Sequence, residues 1–265
     1  MTSCKLCGSE RLVEAVGTPA FKIMACKHCT NAFTAPAPGA IAYEEMDFHA
    51  SAVQEEEGDE RLKTLADLPP AWKFSIERQV DVLKKAVPAA GRILEVGCGE
   101  GLLAGELVRE GYDVTGIEPS PSASGRAARR GVLVCTGYFP HPQAGGPYDA
   151  VVMSHVLEHI EDPLRTLQQL HAALRPGGFL LLIQTNYKGI LPRKWKENWY
   201  AWVPDQHFWH FTPKGLTYLA RKCGFRPVQN EYSSLVHGPH KYETYTRYFP
   251  FLRDQFHLLL QKNGA

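Results

Sequence analysis

Several features are missing from this chain of 265 residues, and each absence narrows what it can be. No apolar run comes near the ~20 residues that cross a bilayer. The longest, Phe179-Leu180-Leu181-Leu182-Ile183, reads as a buried strand. The opening residues, MTSCKLCGSE, lack the apolar stretch of a secretory signal, so a cytoplasmic chain without membrane insertion is expected. Charge of one sign is not in excess. The 29 Lys and Arg against 28 Asp and Glu leave +1, which makes no broad case for nucleic acid. Internal repeats and low-complexity tracts are absent as well. Cysteine, by contrast, is present in an odd number, seven, and four of them form two CxxC pairs. In a reducing compartment that spacing favours metal over disulfides.

Three regions follow one another. Residues 1–36 hold the cysteine pairs. Residues 37–70 form a connector with an acidic run (Glu55, Glu56, Glu57, Asp59, Glu60), which reads as a solvated face or linker. From residue 71 to 265 the pattern alternates. Apolar residues at helical spacing predict a helix over 72–87, stopped by Pro88. Short apolar strands are predicted at 92–96, 113–117, 132–135, 148–154 and 179–185. Helices are predicted at 102–110, 123–130 and 163–174 between them. Strands alternating with helices of this length imply βαβ units, an α/β fold around a doubly wound, mostly parallel sheet. Ligands are then expected at the carboxyl ends of the strands.

The segment Glu95-Val96-Gly97-Cys98-Gly99-Glu100-Gly101 joins the first of these strands to a helix. Its glycines allow a sharp turn and let a ligand approach the backbone, and the helix amides beyond point toward that site. This GxGxG, with an acid two residues before its first glycine, resembles motif I of the class I S-adenosylmethionine-dependent methyltransferases. The likeness continues through Gly116-Ile117-Glu118-Pro119-Ser120, then Ser154-His155-Val156-Leu157-Glu158-His159 with Asp162-Pro163. It extends to Arg175-Pro176-Gly177-Gly178 and to His210-Phe211-Thr212-Pro213 with Cys223-Gly224-Phe225. It covers about residues 75–230. The resemblance implies a seven-stranded, Rossmann-like methyltransferase sheet. It also implies a cofactor site drawn from Glu95, Gly97, Cys98, Gly99, Gly101, Glu118, Pro119, Tyr138, Ser154 and His155. Glu118 would take both ribose hydroxyls, since a carboxylate accepts two hydrogen bonds at once. The loop after the third strand, Cys135-Thr136-Gly137-Tyr138, lacks the acid that often reads the adenine in this family.

Cys4, Cys7, Cys26 and Cys29 supply the four thiolates that tetrahedral zinc prefers. The residues between them suit a hairpin, so a small zinc ribbon is expected. So short a segment gains most of its folding energy from the metal, which makes the site structural.

Methyl transfer needs an aligned nucleophile and often a proton acceptor. Candidates are His155 and His159 after the fourth strand, and Tyr187 and His207 in an aromatic segment, 187–212, that reads as a lid over the acceptor. Trp195, Trp199 and Trp202 share helical spacing within it. His155, Glu158, His159 and the later His207 are similar to the metal-binding ExxEH…H arrangement of small-RNA 2′-O-methyltransferases and ubiquinone-pathway O-methyltransferases, with His in place of the first Glu. The resemblance thus implies a second divalent ion there. The expected activity is methyl transfer to a small-molecule acceptor on oxygen, nitrogen or carbon, in secondary metabolism or in sugar and envelope biosynthesis. One alternative is an RNA methyltransferase, because rRNA guanine methyltransferases also join a zinc module to this fold. The acidic connector speaks against it, and the basic clusters Arg126, Arg129, Arg130 and Arg193, Lys194, Lys196 read as solvated faces. Another is a non-catalytic scaffold that only binds the cofactor. The stretch 242–260 completes the sheet, covers the pocket or forms a homodimer contact, and the sequence leaves these open.

Overall fold

The structure is a computed structural model that describes residues 2–39, 62, 64–234 and 248–264. The acidic run at 55–60 lies outside the described residues.

In chain order the first elements are strands β1 (Leu12–Gly17), β2 (Lys22–Cys26) and β3 (Ala32–Ala35), then helix α1 (Pro70–Ala86). Next come β4 (Arg92–Val96), α2 (Leu102–Arg109), β5 (Asp113–Glu118), α3 (Pro121–Ala128), β6 (Leu133–Thr136) and β7 (Tyr148–Ser154). The chain continues with α4 (Pro163–Ala173), β8 (Leu174–Thr185), α5 (Ile190–Trp195), β9 (Trp209–His210), α6 (Pro213–Lys222), β10 (Phe225–Ser233) and β11 (Gln255–Lys262). They fall into two compact units, residues 40–153 and residues 1–39 with 154–265.

The unit 40–153 is a βαβ assembly. β4 pairs in parallel with β5 and β7, and β5 in parallel with β6. The strands read as near-continuous apolar runs because both faces are covered; Ile93, Leu94, Ala150, Val151, Val152 and Met153 are almost wholly buried. α1 buries Ile76, Val80 and Leu83 on one face and ends at Ala86, with Val87 already extended before Pro88.

In the other unit β11 lies between β10 and β8, antiparallel to both. Of the three roles open for the C-terminal stretch, residues 255–262 therefore complete the sheet. Across the chain the larger sheet has the order β10-β11-β8-β7-β4-β5-β6, the seven strands expected. β8 begins at Leu174, earlier than the predicted 179. Side chains of β11 account for this: Gln261 Nε2 donates to the Gly177 carbonyl at 2.8 Å, and Lys262 Nζ to the Leu174 carbonyl at 2.7 Å. They tie the Leu174 and Gly177 carbonyls to β11, with Gly177 itself at φ +74°.

β1 and β2 form the hairpin expected between the cysteine pairs, and β3, which was not expected, pairs antiparallel with β2. A fourth strand, β9, joins this sheet from far along the chain, with Ala32 opposite His210 and Phe33 opposite Trp209.

Three helix starts share one local solution. Ser120, Asp162 and Thr212 each accept the backbone N–H three residues on, and each precedes a proline at the first helical position. α2 lacks such a side-chain cap, which leaves amides at its start for other partners.

Candidate active site

The residues expected at the cofactor, Ser154 and His155 apart, lie within residues 40–153. Leaving β4, the chain turns through Gly97, Gly99 and Gly101, all at positive φ. Gly101 is required twice over. Its φ is +74°, and a Cβ there would sit 2.7 Å from the Ala127 Cβ. Glu118, at the end of β5 and 1% exposed, ties this turn down. One carboxylate oxygen accepts the Gly99 N–H at 2.9 Å and the other the Ser120 N–H at 2.9 Å. Each oxygen keeps a further lone pair for a ligand hydroxyl.

Glu95 is buried in β4. Burial, then the nearby Glu118 charge, push its carboxyl up to about 8, against a bond from the Ala104 amide. Its Oε2 has no hydrogen-bond partner among the described residues. A buried carboxyl left half-satisfied beside a glycine turn is what a ligand with an amino or hydroxyl group would complete. Cys98 points the other way. Its thiol is buried, and the Sγ lies 2.6 Å from where a Cβ on Gly116 would be, so only its backbone is offered to the turn. Tyr138 stands 56% exposed after β6, and the Gly137 N–H donates to the Glu118 carbonyl. Arg126 and Arg130, read from sequence as part of a solvated face, brace the turn instead. Arg126 pairs with Glu100 at 2.9 Å, and Arg130 Nε donates to the Glu100 carbonyl at 2.7 Å.

The histidines lie in the other unit, which opens at Ser154, the last residue of β7. His155 has φ +52°, a left-handed backbone that costs a non-glycine residue about 1 kcal/mol or more. Its Nε2 lies 2.8 Å from Gln255 Oε1 and its Nδ1 3.5 Å from Glu158 Oε1. Two acceptors flanking one ring favour the doubly protonated form. Burial alone would lower the His155 pKa, but Glu158 outweighs it and the net direction is up. Burial alone would likewise raise Glu158, but His155, with His159 and His207 beyond it, holds the carboxylate well below its usual range. Gln184 Nε2 donates to the second Glu158 oxygen at 2.8 Å.

His207 differs. Its Nδ1 faces the Ala201 carbonyl at 3.1 Å, so Nδ1 carries the proton and Nε2 the lone pair. Burial pushes its pKa down to about 4, so the ring is neutral. His159 packs edge-on to it with ring centroids 4.5 Å apart, and burial lowers its pKa too. One donor atom each from Glu158, His159 and His207 lies within 4.8 Å of the others. Of the four residues expected to hold a second divalent ion, these three are brought together. His155 is committed to Gln255 and Glu158.

The aromatic segment does not form the open wall expected of a lid. Trp199 and Trp202 are buried with Tyr187, Leu191 and Ala201 against Ile23, Ala25 and Ala32 of the cysteine segment. The Tyr187 hydroxyl donates to the Thr30 carbonyl at 2.7 Å, and burial pushes its pKa up. Trp199 and Trp202 were read as part of a lid, and their helical spacing did not say what they pack on. Gln184, Gln255, Ser233 and His257 were missed. Gln255 Nε2 reaches Ser233 Oγ at 2.6 Å and His257 Nε2 at 2.9 Å. The available signal was Gln255 and His257 on alternate positions just ahead of the apolar run Leu258-Leu259-Leu260.

At the cysteines, Cys4 and Cys29 sulfurs are 3.8 Å apart and those of Cys7 and Cys26 3.6 Å, all four within 4.8 Å of one another. Zinc–sulfur bonds of about 2.3 Å in a tetrahedron place sulfurs roughly 3.8 Å apart. The two measured pairs match that spacing, and the donor set is the one a tetrahedral zinc takes.

A family profile described as a methyltransferase domain matches residues 71–230. The ubiquinone biosynthesis O-methyltransferase of Cereibacter sphaeroides (strain ATCC 17025) is 30% identical over 190 residues, covering 64% of this chain and 77% of its own. That of Ruegeria pomeroyi is 30% identical over 206 residues, covering 69% and 82%. Among solved structures, the magnesium protoporphyrin IX methyltransferase of Synechocystis PCC 6803 aligns with a TM-score of 0.53 at 18% identity, over 72% of this chain and 83% of that one. An N-methyltransferase from Bradyrhizobium japonicum WM9, solved with S-adenosyl-L-homocysteine, gives 0.54 at 17%, over 75% and 90%. At such identities the structural likeness speaks for the fold alone.

Proposed function

The chain belongs to the class I S-adenosylmethionine-dependent methyltransferases, and from that premise we propose that it methylates a hydroxyl group on a small-molecule acceptor. The cofactor supplies an electrophilic methyl on a sulfonium. Glu118 would receive its ribose hydroxyls and Glu95 its amino end, on the turn Gly97–Gly101. Pro119 and Tyr138 border that site, with Tyr138 the candidate at the adenine.

One observation carries the choice of a hydroxyl acceptor. His207, held as the Nδ1–H tautomer, stands with Glu158 and His159, one donor atom of each within 4.8 Å of the others, a set that can orient an acceptor hydroxyl and receive its proton once a bound cation has made it acidic. The O-methyltransferase relatives support the same choice. The same three donors suit a divalent ion, which would lower the hydroxyl's pKa when bound. His155, held as a cation by Glu158 and Gln255, is assigned an electrostatic role, and Tyr187 a structural one. The four cysteines hold a structural zinc. The division into a module at 1–36, a connector at 37–70 and a catalytic domain at 71–265 is part of this reading, as is a cytoplasmic location. No described helix is long and apolar enough to cross a membrane.

The test is transfer of a labelled methyl group to 3,4-dihydroxybenzoate and to matched amine and thiol acceptors, by wild type and His207→Ala. Turnover on the catechol alone, reduced roughly 100-fold or more in the variant, is expected. Turnover confined to the amine, or an unimpaired variant, contradicts the reading.

A further inference from the structure

β9 is two residues long, too short a ladder to hold itself in place. Yet the backbone around it carries His207 and His210, both almost fully buried. What fixes it comes from the other end of the chain. The second cysteine knuckle ends in Thr30 and Asn31 and runs directly into β3. Residues 31–34 are buried, with Asn31 1% and Thr34 2% exposed.

Thr34 makes three contacts with the β9 segment. Its N–H donates to the Phe208 carbonyl at 3.1 Å. Its hydroxyl donates to the His207 carbonyl at 2.6 Å, and its Oγ1 lies 3.0 Å from His210 Nε2. A hydroxyl has one proton, and here the His207 carbonyl takes it. Oγ1 must therefore accept from His210, which fixes His210 as the Nε2–H tautomer. One side chain so sets both the backbone of His207 and the tautomer of its neighbour.

The residues just before it reinforce the attachment. Thr30 Oγ1 lies 2.9 Å from Thr212 Oγ1, at the start of α6. Asn31 Oδ1 accepts the Thr212 N–H at 3.4 Å. α6 passes so close that a Cβ on Gly215 would lie 1.9 Å from Asn31 Oδ1. The sequence on both sides of β9 is thus held by the strand that leaves the cysteine cluster.

We propose that Thr34 is a positioning residue for the acceptor-side cluster: by holding the His207 carbonyl and the His210 ring, it makes the four-cysteine segment part of the catalytic apparatus. The inference rests on the reading of Glu158, His159 and His207 given above. The chain of placement runs from the cysteine knuckle through Thr34 to His207, and from there to Glu158, whose carbonyl accepts the Phe208 N–H at 2.9 Å. Catalytic groups tolerate little displacement; a shift of about 1 Å can cost 100-fold in rate.

The experiment compares the metal-bound, full-length wild type with Thr34→Val and Thr34→Ser. Valine keeps the shape and removes the hydroxyl, while serine restores it. The His207 and His210 ring nitrogens are followed by proton–nitrogen NMR, and turnover is measured with 3,4-dihydroxybenzoate. Thr34→Val is expected to shift both rings' signals and to lower kcat about ten- to a hundredfold. Cofactor affinity and bound metal should be unchanged, and Thr34→Ser should restore both signals and rate. Wild-type ring signals in Thr34→Val, or equal damage in Thr34→Ser, would overturn the proposal. Shifted signals with full turnover in both Thr34→Val and His207→Ala would instead remove the catalytic reading of the cluster and leave the attachment standing.

Discussion

The cofactor turn and the histidine cluster are built in opposite ways. The turn is local. Glu95 to Gly101 and Ile117 to Ser120 close the ends of adjacent parallel strands, where the Gly97 and Cys98 N–H groups donate to the Ile117 carbonyl and the Gly99 N–H to the Glu118 carboxylate. The cluster is assembled from afar. Glu158 meets Gln184 from β8, His155 meets Gln255 one hundred residues on, and the His207 carbonyl meets Thr34 across 173. A site built from neighbours in sequence tolerates change elsewhere in the chain. A site built from distant segments depends on each of them.

The largest effect that would sharpen this contrast comes from the cysteines. Cys29→Ser removes one thiolate, and the segment at 2–35 has little core of its own to replace the metal's contribution. Loss of about one zinc per chain is expected, with several kcal/mol of stability and roughly 10 °C of Tm. Binding of S-adenosylhomocysteine should persist, because the turn does not draw on that segment. Metal analysis, calorimetric melting and a binding titration on one preparation check this. Joint loss of metal and cofactor binding would break the contrast.

A smaller effect concerns the turn itself. Glu95 is protonated more readily in the folded chain, with its pKa raised from 4.5 to about 8. The folded state therefore holds a proton that the unfolded state releases. Stability without ligand should fall as pH rises through that window, by an amount on the order of a few kcal/mol. Below 4.5 both states are protonated and no penalty remains. Glu95→Gln should flatten the profile and be more stable than wild type near pH 8.5, with the difference vanishing by pH 4.5. Urea unfolding across pH 4.5 to 8.5 measures it, and parallel profiles would refute the assignment.

Legibility in the sequence follows the same divide. β4 and β7 fall on the predicted residues, and α1, α2 and α4 lie within two residues of the predicted ends, because apolar periodicity and proline stops are local signals. The glycine turn at 97–101 was legible for the same reason. The four cysteines were legible from spacing alone. Thr34, Gln184 and Gln255 were not. A threonine in Ala32-Phe33-Thr34-Ala35 looks like any half-polar strand residue, and its partners are set by tertiary pairing. The aromatic segment misled for a related reason. Its tryptophans announce burial without naming the surface they cover, which is the sheet of the cysteine segment and not an acceptor.

The most direct measurement is a calorimetric titration of S-adenosylhomocysteine into wild type and Glu118→Ala. Micromolar binding to wild type is predicted, weakened about 100-fold in the variant, since two amide bonds that shape the turn and the ribose contact go together. No binding to wild type, or equal binding to both, would contradict the account.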